Sequence, residues 1–347
     1  MKIAQLAPHY NTITPNSNKA IYSHIAWLCN GLVNLGNDVF LFASGDSQTK
    51  AKLSSVYPIA VNNSNMSDNE KKLYLDLLIS ECYRRADEFD IIHSHFTLVS
   101  SFYSCINKNL TVQTIHSPIE ECSKPFLRKF KDNNYISLSL AQRKVMPELN
   151  WVANIYHGVD TNIFSFNSNP KPYLLYLGRV TEQKGVHLAI EAAKAADMQL
   201  IIAGRSYPNE GYWHEKIEKH IDDKNIRYVG EANFEQKIEY LQNATALIFP
   251  TQYEEVFGYS MIEAMSCGTP VIGWRKGSVP EVVSDNKTGY VVNSIKDMVK
   301  AIKNIKKIKR EAVRERAEKF FSIEKMVNSY NKVYEKIITE NERKTKR

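Results

Sequence analysis

Two consecutive α/β domains of similar size, each made of β-α-β units around a parallel sheet, are predicted for this chain. Three observations carry that prediction. Short apolar runs alternate with longer segments of helical period from the first residues onward. The alternation restarts after a polar stretch, "NIFSFNSNPKP" at 162–172. A length of 347 residues exceeds what a single core commonly supports.

In the first set the strands are "KIAQLAP" (2–8), "DVFLFAS" (38–44), "DIIHSHF" (90–96), "LTVQTIH" (110–116), "NYISLS" (134–139) and "WVANIY" (151–156). A helix over 19–35 joins the first two, with Ile21, Ile25, Leu28 and Leu32 spaced by three and four and Gly36 as its stop. Strand, helix and strand in that order form the unit from which parallel sheets are assembled. The second set runs "YLLYLG" (173–178), "MQLIIAG" (198–204), "NIRYVG" (225–230), "TALIFP" (245–250) and "TPVIGW" (269–274), with a helix over 182–196. These sets predict domains over 1–165 and 170–320. Ligands of open α/β sheets bind beyond the carboxyl ends of the strands, so two such domains can share one cleft. A last helix, placed near 322–340 by Ile323, Met326, Val327, Tyr330, Val333 and Tyr334, is expected to pack back on the first domain, leaving a basic tail within 321–347.

Composition narrows the function classes. A hydrophobic content of 43% with 24% charged residues marks a globular chain, and the sequence holds no apolar run long enough to span a membrane. The opening "MKIAQLAPHYN" lacks the apolar stretch of a secretory leader, so the cytoplasm is the expected location. Five cysteines form no C-x-x-C pair, which excludes the usual zinc and disulfide frameworks. The net charge of +7 is concentrated late, in "KAIKNIKKIKR" (300–310) and "NERKTKR". It reads first as a solvated helix face. Its sharper reading is attraction to an anion, either a nucleotide sugar or the inner face of an anionic membrane. No basic stretch is interleaved with stacking aromatics, so nucleic acid is not an expected partner.

The sequence contains neither G-x-G-x-x-G nor the P-loop pattern, and it has no Asp-x-Asp. Phosphates would then be held by backbone N–H groups and basic side chains. "TQYEEVFGYSMIEAMSCGTPVI" (251–272) suits that task. Pro250 ends a strand, a loop follows, and a helix begins near Tyr259. Its first turn offers unpaired N–H groups and the positive end of a dipole. Glu255 stands before that point and Glu263 about one turn inside the helix. Two acids bracketing an anion site fit hydroxyl recognition, although a salt-bridged surface helix would show the same loop.

Glu255 and Glu263, with the surrounding "FGYSMIEAMSCGTPVI", resemble the E-x7-E motif of retaining family 4 glycosyltransferases. "LGRVTEQKGVHLAIEA" (177–192), "HGVDTNIF" (157–164) and "GSVPEVVSDNKTGYVV" (277–292) are similar to further segments of that family. The resemblance covers nearly the whole chain. It implies the GT-B fold, two Rossmann-like domains across a cleft, and a nucleotide-sugar-dependent hexosyltransferase. Retention would come from same-face attack, with no cofactor and no metal. Implied catalytic residues are His116, Glu255, Arg179 and Lys184. Implied donor contacts are Gly178, Arg179, Lys184, Glu255, Val256, Phe257, Gly258, Tyr259 and Glu263, with Glu255 near the sugar hydroxyls and Glu263 on the ribose. A UDP-sugar is the favoured donor and GDP the second choice, while the acceptor is left open. His93 and His95, two apart in "DIIHSHF", share a strand face without an apparent third metal ligand.

One departure stands out. Relatives carry Gly-Gly before the first helix where this chain has Lys19 and Ala20. That change puts acceptor geometry in question and keeps two alternatives in view, a catalytically silent nucleotide-sugar-binding subunit and a GT-B epimerase.

Overall fold

A computed structural model describes residues 1–17, 19–106, 110–207 and 211–345. They form two compact units, Met1–Gly158 with Ile323–Arg347, and Val159–Ser322. The first contains β1 (Lys2–Leu6), α1 (Ala20–Asn34), β2 (Asp38–Phe42), β3 (Lys52–Ser54), α2 (Asp68–Arg84), β4 (Ile91–Ser94), α3 (Thr97–Ile106), β5 (Thr111–Thr114), α4 (Lys124–Lys129), β6 (Asn134–Ser137), α5 (Leu140–Arg143) and β7 (Trp151–Asn154). The second contains β8 (Tyr173–Leu177), α6 (Val186–Ala195), β9 (Gln199–Ala203), β10 (Ile226–Tyr228), α7 (Phe234–Asn243), β11 (Ala246–Phe249), α8 (Tyr259–Ser266), β12 (Val271–Trp274), α9 (Val279–Val282), β13 (Gly289–Val292), α10 (Ile295–Asn304) and α11 (Arg310–Phe321). A final helix, α12 (Ile323–Thr345), groups with the first unit.

Both sheets are parallel throughout, ordered β3-β2-β1-β4-β5-β6-β7 and β10-β9-β8-β11-β12-β13. Each sheet winds outward from its first strand in two directions, which is the Rossmann order. Helices cover both faces of such sheets, so the central strands are apolar without a break; β4, β5 and β11 are buried at every position. The expected strands are all present, one to three residues shorter at their ends. β3 and β13 were not anticipated. β3 is a three-residue edge strand with two exposed positions, so it carries no apolar signal. It lies within 46–72, where α2 also begins behind a capping box of Ser67 and Glu70.

The domain boundary falls between residues 158 and 159, not at 165–170. Val159 bridges to Ser322, and its N–H donates to the Phe321 carbonyl at 2.8 Å. The guanidinium of Arg314 donates to the carbonyls of Thr161 (2.7 Å) and Phe164 (2.6 Å), and that of Arg310 to Asn167 (2.6 Å). The polar stretch is thus fastened to the second unit by α11. Arg310 closes the basic segment 300–310, yet it is buried, whereas Lys303, Lys306, Lys307 and Lys309 are exposed and Ile302, Ile305 and Ile308 point inward. In the first unit α12 packs along α1, with Val327 against Gly31 and with Tyr330 and Tyr334 fully buried.

Candidate functional site

β8 and β11 are neighbours from which the second sheet runs in opposite directions, so the crevice outside their carboxyl ends is the ligand position such folds provide. Gly178, Arg179 and Lys184 follow β8; Glu255, Val256, Phe257 and Gly258 follow β11. Lys184 lies in a 3-10 turn, Glu182–Lys184, and its Nζ is 2.5 Å from Glu255 Oε2. Both side chains are largely covered, at 18% and 12% exposure. Tyr253 donates its hydroxyl to the same carboxylate oxygen at 2.6 Å. Burial, reinforced by the Glu255 charge, pushes the Tyr253 phenol far above its ordinary range, so it stays a donor. The Lys184 ammonium also stands 5.0 Å from the Tyr253 ring centroid. Arg179 is exposed at the strand end, where its carbonyl accepts from the Tyr176 hydroxyl at 2.7 Å.

Gly258 caps α8 with φ 76°, a left-handed conformation that turns the chain from the acidic loop into the helix. Val256 and Phe257 are buried, so only their backbone is available to a ligand. Glu263, one turn into α8, is 5% exposed, and its Oε1 accepts from Lys237 Nζ of α7 at 2.6 Å. The two acids therefore occupy separate microenvironments, each with its own lysine. Sequence reasoning missed Lys237, Tyr253 and the pair Gly277–Ser278. Ser278 donates through Oγ to the Phe257 carbonyl (2.6 Å) and through N–H to the Glu255 carbonyl (3.0 Å), fixing the acidic loop from the start of α9. A Gly-Ser before "VPEVV" was the available signal; for Lys237 there was none.

In the first unit His116 follows β5 and is partly buried, and burial lowers its imidazole to about 3. At neutral pH it is an uncharged hydrogen-bonding group. His93 and His95 do not act as a pair. His93 contacts the Tyr334 hydroxyl through Nδ1 (2.7 Å) and Thr114 Oγ1 through Nε2 (2.8 Å), whereas His95 bonds to His116, Nδ1 to Nε2, at 2.8 Å. Lys19 stands at the N-cap of α1, its ammonium on Asn11 Oδ1 at 2.6 Å.

Solved structures share this architecture over nearly their full length. Sucrose-phosphate synthase from Thermosynechococcus elongatus aligns with TM-score 0.79 at 19% identity, covering 98% of this chain and 99% of that one. HepE of Anabaena, in complex with UDP and glucose, aligns with TM-score 0.72 at 17% identity, covering 97% and 100%. The fold is the GT-B architecture of these glycosyltransferases, with a Rossmann-like sheet in each unit. The family model described as glycosyl transferases group 1 matches residues 159–320, nearly the whole second unit. An uncharacterized glycosyltransferase of Methanocaldococcus jannaschii is 25% identical over 277 residues, 73% of this chain and 77% of that protein.

Proposed function

We propose that the chain transfers a hexosyl group from a UDP-sugar to an acceptor hydroxyl, with retention at the anomeric carbon and without a metal. The observation that carries this reading is the Lys184–Glu255 contact at the sheet's switch point, beside the N-terminus of α8. A diphosphate placed there meets the Arg179 fork, the Lys184 ammonium and the first N–H groups of α8. By drawing Lys184 toward itself, it frees Glu255 for a sugar hydroxyl. Glu263 keeps one oxygen on Lys237 and offers the other to a ribose hydroxyl. Neutral His116, whose Nε2–H faces His95 Nδ1, offers its other ring nitrogen as an acceptor to a sugar hydroxyl. As the bond from the anomeric carbon to the diphosphate breaks, the acceptor oxygen attacks the same face and its proton passes to the leaving diphosphate. Stabilisation of that leaving charge is the main catalytic effect. The HepE complex, which holds UDP and glucose, supports the choice of base.

Calorimetry with UDP, GDP and their sugars, followed by anomeric analysis of the product, tests the reading. UDP binding that persists in chelator is expected. Arg179→Ala and Lys184→Ala should each weaken it about tenfold or more, since a charge-assisted contact is worth about 1.5–3 kcal/mol. Wild-type affinity in either variant removes that residue from the site, and an absolute requirement for a divalent ion rules out the metal-free reaction.

A further inference from the structure

Five histidines of the first unit, His24, His93, His95, His116 and His157, gather at the carboxyl ends of β4, β5 and β7 and on α1. They are not equivalent. His93 has both ring nitrogens engaged by hydroxyls and is a structural spacer. His95 Nε2–H donates to Gln5 Oε1 at 3.0 Å, and the Gln5 amide is oriented by donating to the Tyr334 hydroxyl at 3.2 Å. That arrangement fixes the tautomer and leaves Nδ1 of His95 as a lone pair turned toward His116. Nδ1 of His116 and Nε2 of His24 are buried with no hydrogen-bond partner. One ligand-capable nitrogen from each of His24, His95 and His116 lies within 4.8 Å of the others.

We infer that His24, His95 and His116 form a binding site for one divalent transition-metal ion that prefers imidazole nitrogen, such as zinc. Metal–nitrogen bonds of about 2.0–2.1 Å in a tetrahedral set put the ligand atoms roughly 3.3 Å apart, so small ring rotations close the cluster around an ion. A carbonyl oxygen on the far N–H of His95 is the partner that metal-ligating histidines almost always have. A purely hydrogen-bonded network would satisfy His95 and leave two buried nitrogens orphaned; a metal uses lone pairs of this kind. Three protein ligands leave a fourth position for water or another small ligand.

The ion is not a cofactor of the transfer. It would hold the imidazole of His116 away from a sugar hydroxyl and so inhibit. That corollary rests on the proposed reaction, whereas the site itself does not.

The full-length chain, stripped of metal by chelator, is titrated with Co²⁺ and followed by visible absorption, then challenged with Zn²⁺. One Co²⁺ per chain with an intense tetrahedral band, bleached by Zn²⁺, is expected. His24→Gln and His95→Gln should each lower affinity at least 100-fold, and Gln5→Leu should lower it about tenfold by loosening His95. His220→Gln, on the surface of the second unit, should change nothing. The wild-type titration decides without any variant: absence of the tetrahedral band overturns the site. Undiminished binding in both histidine variants overturns the assignment of ligands, and Zn²⁺-stimulated turnover overturns the inhibitory role.

Discussion

Glu255 and Glu263 stand eight positions apart in sequence, yet each carboxylate is held by a different lysine, Lys184 and Lys237. The Lys237–Glu263 pair is the more enclosed, at 12% and 6% side-chain exposure, and Lys237 also lies 4.8 Å from the Phe234 ring centroid. In the proposed reaction a carboxylate set so firmly would recognise one hydroxyl pair, whereas Glu255, shared between Lys184 and Tyr253, would be the one to change partner. The two should therefore report on different parts of the donor. Glu263→Gln is expected to weaken free UDP and UDP-sugar alike, by tenfold or more, through loss of a charged hydrogen bond worth about 1.5–3 kcal/mol. Glu255→Gln should leave UDP affinity within about threefold while turnover falls at least tenfold. Calorimetry with UDP beside steady-state kinetics separates them, and equal weakening of free UDP by both would show that the pair acts as one site.

At the scale of elements, the acidic loop is shaped from behind. Gly277 has φ 51°, and a Cβ there would run into the backbone of Glu254 and Glu255; its N–H also donates to the Glu254 side chain at 2.6 Å. Only glycine combines that dihedral with that proximity. Gly277→Ala should push the loop outward, at a cost of about 1–3 kcal/mol in backbone strain. For a unit of this size that lowers the melting temperature of the second unit by roughly 2–12 °C. Turnover should fall with it, because Glu255 moves. Scanning calorimetry and kinetics on the same sample check both effects, and an unchanged melting temperature would mean that the loop is set elsewhere. The fastening of 159–169 works on the same principle. Arg310, lowered to about 10 by burial and still charged, donates to the carbonyls of Asn167, Gln242 and Ala244 and to the Thr269 hydroxyl, joining segments that no local rule connects.

For the whole molecule, the decisive segment is α12, which completes a unit that the chain left at Gly158, more than 160 residues earlier. Its Tyr330 and Tyr334 are fully buried and bond to Thr114 (3.1 Å) and His93 (2.7 Å), so the first unit's core is unfinished without it. Ending the chain at Ser322 should expose that core. The truncated protein is expected to bind a dye for apolar surface and to lose the calorimetric transition of the first unit, while UDP affinity stays within about threefold. If the transition of the first unit survives, α12 is an accessory and not part of the core. Among the described residues no helix is long and apolar enough to cross a membrane.

What the sequence alone determined follows from local regularity. Short apolar runs and apolar spacings of three and four are written in nearby positions, so the β-α alternation, its restart after the first set, and the start of α8 near Tyr259 could all be read directly. Gly258 and the acids on either side of it were legible for the same reason, since helix starts and left-handed turns are local events. Tertiary structure decided whatever depends on segments far apart in the chain. β3 has too few apolar residues to announce itself and exists because β2 offers an edge. The domain boundary moved because Arg310 and Arg314 reach back across some 150 positions to carbonyls in 161–167. Lys237 on α7 became the partner of Glu263 on α8, and His24 on α1 joined His95 and His116 beyond β4 and β5, only when the parallel sheets gathered these segments. Burial then made the difference physical: a charge or an imidazole removed from water must find a partner, and the fold, not the neighbouring sequence, supplies it.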